Sequence, residues 1–126
     1  LTDDNSPQDY QTVIHPQIVY LIDEDHTGVI RLDPMNSVTC SVHIATRPEM
    51  WGRGHQFAKD VMKWGFKNTL YQKVVGIIPG YNDRVIKLVK DLGFKQEGMI
   101  TKSFLKRWKL HDQLIFCLNK GDVPCQ

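Results

Sequence analysis

Residues 50–66 read "MWGRGHQFAKDVMKWGF". Gly52 and Gly54 bracket Arg53, and an apolar pattern with helical spacing begins directly after them. Glycine permits positive φ and lets a ligand approach bare backbone. The start of the following helix offers unpaired N–H groups and a positive dipole end, a combination that suits a phosphate. Arg53 can add a charge-assisted contact to the same anion. A strand-to-helix turn that merely needs glycine accounts for the same residues. The stretch matches neither GxxxxGK[ST] nor GxGxxG followed by a distant acid, which sets aside the common mononucleotide and dinucleotide loops. Its neighbours have to decide.

On the N-terminal side, "SVTCSVHIAT" (37–46) alternates, with Val38, Cys40, Val42 and Ile44 on one face and Thr39, Ser41 and His43 on the other. Two shorter apolar runs precede it, "QIVYLIDED" and "TGVIRLDP", joined through "EDHTG" as a hairpin. Three consecutive antiparallel strands are expected. On the C-terminal side, Phe57, Val61, Trp64 and Asn68, with Ala58 and Met62, predict an amphipathic helix from His55 to Leu70. "KVVGII" reads as a buried strand closed by "PGYN". Asn82 can cap a second helix, "DRVIKLVKDL", which Gly93 ends. "GMITKSFL" and "LHDQLIFCL" are two strands joined by the basic turn "KRWK". The predicted order is β-β-β-α-β-α-β-β, an α/β fold with a mixed, mostly antiparallel sheet flanked by helices. Residues 1–9 form an expected flexible arm and 10–126 a single domain.

Composition narrows the function classes. A hydrophobic fraction of 41% with 24% charged residues belongs to a globular domain. The 16 basic and 14 acidic residues leave a net charge of +2, too small to imply nucleic acid or a membrane surface as partner. No apolar run approaches the roughly 20 residues of a membrane span, and no signal-peptide pattern opens the chain. Cys40, Cys117 and Cys125 are odd in number and lack CxxC spacing, which points to reduced thiols and a cytoplasmic setting. Cys40 and His43 fall on opposite faces of one strand, so together with His111 and Cys117 they do not make a metal site, and no metal is expected.

The segment from Val38 to Leu118 combines the alternating strand, "RPEMWGRG", a helix, a β run, "YNDRVIKLVKDLGFKQEG" and a closing hairpin containing "DQLIFCL". This combination resembles the GNAT superfamily of acetyl-coenzyme A dependent N-acetyltransferases over about two thirds of the chain. Asn82, Leu92-Gly93-Phe94-Lys95 and Glu97-Gly98 match the N…LGFk.eG segment of that superfamily. The compact form, with "PGYN" and "DQLIF", is also similar to short GNAT-like proteins of tailed bacteriophages.

The resemblance implies a fold of GNAT type with acetyl-CoA as co-substrate and an amine as acceptor. It assigns the pyrophosphate to backbone amides of Trp51, Gly52, Arg53, Gly54, His55 and Gln56. The pantetheine arm falls between two splayed strands, around Val42–Thr46 (including Ile44 and Thr46) and Val74–Ile78, with Asn82 against the arm. The loop departs from (R/Q)xxGxG or (R/Q)xxGxA, because Trp51 stands at the Arg/Gln position and Gln56 at the last small one. The tyrosine that serves many members as general acid falls on Val89, and the serine of other branches falls on Val85. Neither valine can donate a proton.

An ammonium must lose a proton before it attacks a thioester. His43 is the first candidate base, because imidazole titrates near neutrality. It is equally a polar-face strand residue. Glu49, acting through a water, is the second candidate, and Tyr81 is the alternative acid. Members of the superfamily carry a strand and two helices ahead of the alternating strand, whereas residues 1–37 have room for two short strands. The acceptor cleft is therefore expected to be truncated, or completed by another subunit such as a second copy. Two functions follow, an N-acetyltransferase and a GNAT-like binding or assembly protein with weak or absent catalysis. Phe104 and Trp108 among the bases of "KSFLKRWKLH" read as a hairpin turn in preference to a single-stranded nucleic-acid platform.

Overall fold

The computed structural model describes residues 18–23, 25–46 and 54–124. The expected arm at 1–9 and the loop residues Glu49, Trp51, Gly52 and Arg53 lie outside them, as does Cys125. The elements run β1 (Val19–Ile22), β2 (Gly28–Pro34), β3 (Thr39–Thr46), α1 (Gly54–Asn68), β4 (Lys73–Pro79), α2 (Asp83–Asp91), β5 (Lys95–Lys106) and β6 (Lys109–Asn119). This is the predicted order. They build one six-stranded sheet, β1-β2-β3-β4-β6-β5.

Four of the five strand pairs are antiparallel, and β3 with β4 is the parallel one. A parallel neighbour requires a crossover, which α1 supplies. One sheet face carries Ile30, Leu32, Cys40, Val74, Ile78, Phe116 and Leu118 into the core. Ala58, Val61, Met62 and Phe66 of α1 pack there, as do Val89 of α2 and Leu92 just beyond its end. The buried stripe of α1 is centred on Ala58, Met62 and Gly65, and Gly65 stands against Leu32. Trp64, counted in the apolar stripe from spacing, is therefore rotated to the margin and exposed. The helix stops at Asn68, and Thr69 Oγ1 donates to the Gly65 carbonyl at 2.6 Å. Leu70 is left outside, 83% exposed.

Helix α2 begins as predicted. Asn82 Oδ1 accepts the Val85 N–H at 3.3 Å, and Gly93 leaves the helix with φ +99°. Only glycine fits at 93, since a Cβ there would lie 2.6 Å from the Asp122 carbonyl. The β5–β6 turn is less conventional. Arg107 and Trp108 both have positive φ, 52° and 61°, as a two-residue type I′ hairpin requires, although neither is a usual residue for it. Cys40 and Cys117 are free and buried, as their apolar context implied. Among the described residues no helix is long and apolar enough to cross a membrane.

Candidate functional site at the open end of the sheet

The seam between β3 and β4 is paired at one end only. Thr39, Cys40 and Ser41 face Lys73, Val74 and Val75, and the register ends there. Residues 42–46 of β3 and 76–79 of β4 run on without pairing each other. Each remains fixed by its outer neighbour: β3 pairs with β2 up to Thr46, and β4 pairs with β6 up to Pro79. The result is a wedge with backbone N–H and C=O groups along both walls and rigid support behind them. Because the strands are parallel, both carboxyl ends reach the same edge of the sheet. In open α/β sheets that edge is where ligands bind.

Both helices also begin at this edge. The first turn of α1 contains Gly54, His55 and Gln56 and no acidic residue, so its positive end is not offset from within. His55 and Gln56 are exposed, and the Gln56 amide donates along the helix to Asp60 at 2.7 Å. Gln56 therefore lies along the outer surface of α1. Asn82 precedes α2, with its Oδ1 turned inward as the cap.

His43 lies on β3 two residues past the last β3–β4 pair and opposite Arg31. Its Nε2 is 3.4 Å from Asp33 Oδ2, and its side chain is 48% exposed. Arg31 Nε lies 2.9 Å from Asp33 Oδ1, a close ion pair in distance although the two atoms are not aligned as a hydrogen bond. Partial burial, with the Arg31 guanidinium adding to it, holds the imidazole below its ordinary 6.5, and Asp33 pulls the other way. The net outcome is a neutral ring at pH 7, the form that can accept a proton. Ile44 is half-buried and packs against the core, so its backbone, not its side chain, faces the wedge region. Thr46 is the last residue of β3.

Tyr81 is 39% exposed and folds onto the β5–β6 hairpin. Its ring meets His111 edge-on at 4.8 Å and Phe104 at 6.0 Å, and Lys106 Nζ stands 5.6 Å from the ring centre. Tyr81, Lys106, Arg107 and His111 line an open hollow of about 250 Å³. Val89, at the acid position, is buried in the core, and Val85 packs against that core. Among the described residues no three His, Cys, Asp or Glu side chains converge as metal ligands.

Sequence reasoning missed two groups. Arg31 and Asp33 become neighbours of His43 only through the β2–β3 register, which spacing along the chain does not reveal. Lys106 and His111 meet Tyr81 because β6 extends beyond β4. The "KRWK" turn was the available signal for that overhang.

The chain has the fold of the GNAT N-acetyltransferases. It matches the spermidine N-acetyltransferase of Vibrio cholerae, solved in complex with CoA and spermine, with a TM-score of 0.73 at 17% identity, covering 83% of this chain and 66% of that one. A chimera of the Vibrio cholerae enzyme with hSSAT gives a TM-score of 0.72 at 17% identity, covering 82% and 66%. A protein assigned as a phosphinothricin N-acetyltransferase gives 0.70 at 18% identity, covering 81% and 70%. The chain thus spans just under two thirds of the length of the spermidine acetyltransferases it matches. No protein-family model and no curated protein matches the sequence.

Proposed function

We propose that this protein is an acetyl-CoA-dependent N-acetyltransferase that acts on an amine by direct attack. The observation that carries this reading is the β3–β4 seam, open only at the end where α1 begins without an acid in its first turn. Those features suit an extended amide-bearing arm and a phosphate, the two parts of coenzyme A. One structural neighbour was solved with CoA.

In this reading the backbone of Gly54, His55 and Gln56, together with Trp51, Gly52 and Arg53 ahead of them, holds the pyrophosphate. The free walls of β3 and β4, near Ile44 and Thr46, take the pantetheine amides. Asn82 Nδ2 remains for the arm, because Oδ1 caps α2. The acceptor nitrogen bonds to the thioester carbonyl carbon, the C–S bond breaks, and the nitrogen gives up a proton. His43 is the base for that proton, with Glu49 acting through a water as the alternative. Tyr81 is the proton donor to the departing sulfur, because Val89 is an apolar core residue. N–H groups directed at the carbonyl oxygen stabilise its developing charge.

A second reading, a coenzyme-binding or assembly protein of phage type without turnover, is favoured by the valines at both usual acid positions. A thiol-release assay with acetyl-CoA and a panel of primary amines separates the two. Amine-dependent release of CoA thiol supports the enzyme. Coenzyme binding without release by any amine in the panel overturns it in favour of the second reading.

A further inference from the structure

Strand β6 pairs with β4 only from Gln113 onward, so Lys109–Asp112 and the facing end of β5 overhang the carboxyl end of β4. This overhang stands at the open edge, beside the start of α2. It is charged in one sense. From Lys102 to Asp112 it carries Lys102, Lys106, Arg107 and Lys109 against the single carboxylate of Asp112. That local excess is larger than the +2 of the entire chain. Asp112 is also committed, since its Oδ1 accepts the Lys102 N–H at 2.9 Å. Among the described residues, Asp83 is exposed in the first turn of α2 beside the overhang, and Asp23 and Asp25 lie further along the same edge in the β1–β2 turn, where Asp23 accepts the Thr27 and Gly28 N–H groups.

Lys106 and Arg107 border the hollow of about 250 Å³, with Tyr81 and His111 forming its aromatic wall. The cation–π contact of Lys106 with Tyr81 holds the ammonium beside the hollow and leaves N–H donors for a ligand. The hollow is smaller than the roughly 300–1,000 Å³ of pockets for drug-sized ligands, so it suits one small headgroup.

We propose that this hollow anchors the acceptor and that the acceptor is a small amine carrying an anionic group, a carboxylate or a phosphate. The inference rests on the acetyl-transfer reading and names the acceptor class for it. An anionic group offsets the repulsion that Lys106 and Arg107 at the hollow, with Lys102 and Lys109 on the same hairpin, exert on a bare ammonium. The same cations lower the pKa of the acceptor's amine, which enlarges the neutral fraction able to attack. A polyamine has no such group and meets only like charge.

The test follows the His111 and Tyr81 ring signals by NMR during titration with β-alanine, 2-aminoethyl phosphate, ethanolamine and spermidine, with and without CoA. β-Alanine or 2-aminoethyl phosphate should shift both rings saturably, and the tighter of the two identifies the anion. Ethanolamine and spermidine should bind at least tenfold more weakly. Lys106→Glu should weaken the anionic amine about tenfold while calorimetric CoA affinity stays unchanged. Spermidine or ethanolamine binding as tightly as the anionic amines overturns the inference. An anionic amine that ignores Lys106→Glu does the same. Loss of CoA binding with the anionic-amine response retained would instead sink the acetyl-transfer reading.

Discussion

The two ends of β4 share β6 as a neighbour and have opposite character. At its start, Lys73–Val75 are clamped between β3 and β6, and Cys40, Val74 and Leu118 meet there with almost no exposure. At its finish the β3 partner is gone, a hairpin overhangs, and His43, Tyr81 and Asn82 are half-buried or exposed. The closed end is built for packing density, and the open end leaves backbone groups and titratable side chains for something else to satisfy. The parallel pairing of β3 and β4 makes this division possible, because it brings both strand ends and both helix starts to one edge.

Substitutions at the two ends should therefore separate stability from function. The largest effect belongs to Leu118→Ala, which truncates a core side chain opposite Val74 that is 0% exposed. It should cost about 2–5 kcal/mol in urea unfolding, with coenzyme affinity of the folded fraction unchanged. A loss below about 1 kcal/mol would show that the closed end is not the stabilising one.

His43→Gln should lower the amine-acetylation rate by about 10²-fold and remove the acid limb of the pH profile, with little change in unfolding at pH 8. In the native protein that limb should lie below 6.5, because burial holds the imidazole down. The sign for stability agrees. With the folded pKa below the unfolded one, the neutral ring's contribution is complete above 6.5 and is lost as the pH falls through the folded pKa. An unchanged pH profile in the variant would move the base elsewhere, with Glu49 next.

Asn82→Ala gives the smallest effect and blurs the division on purpose. Loss of the cap should cost about 1 kcal/mol of stability. If Asn82 Nδ2 also meets the coenzyme arm, affinity should fall severalfold in calorimetry as well. A stability loss with unchanged affinity would confine Asn82 to the cap.

Much of the fold was legible because the sequence is locally consistent. The alternation of 37–46, the i, i+3, i+4, i+7 pattern of α2 and the Asn82 and Gly93 stop signals all act within a few residues of themselves. Trp64 misled, since helical spacing fixes a stripe but not which margin of it the sheet covers. The site was less legible. The trio of Arg31, Asp33 and His43, and the hollow around Tyr81, arise from register and strand overhang, which are long-range properties of the folded sheet. The two-residue turn at Arg107-Trp108 gave no glycine signal, although its positive φ values set the position of the overhang.

Calorimetric titration with acetyl-CoA, with Gly54→Val as the companion, asks whether the open end is a coenzyme site. The native protein should bind with micromolar affinity, and the valine variant should lose binding while keeping its unfolding transition, because a side chain at the first helical position obstructs the phosphates. No heat of binding at millimolar acetyl-CoA, or equal affinity in the folded valine variant, would contradict that assignment. The glycines would then serve the turn alone.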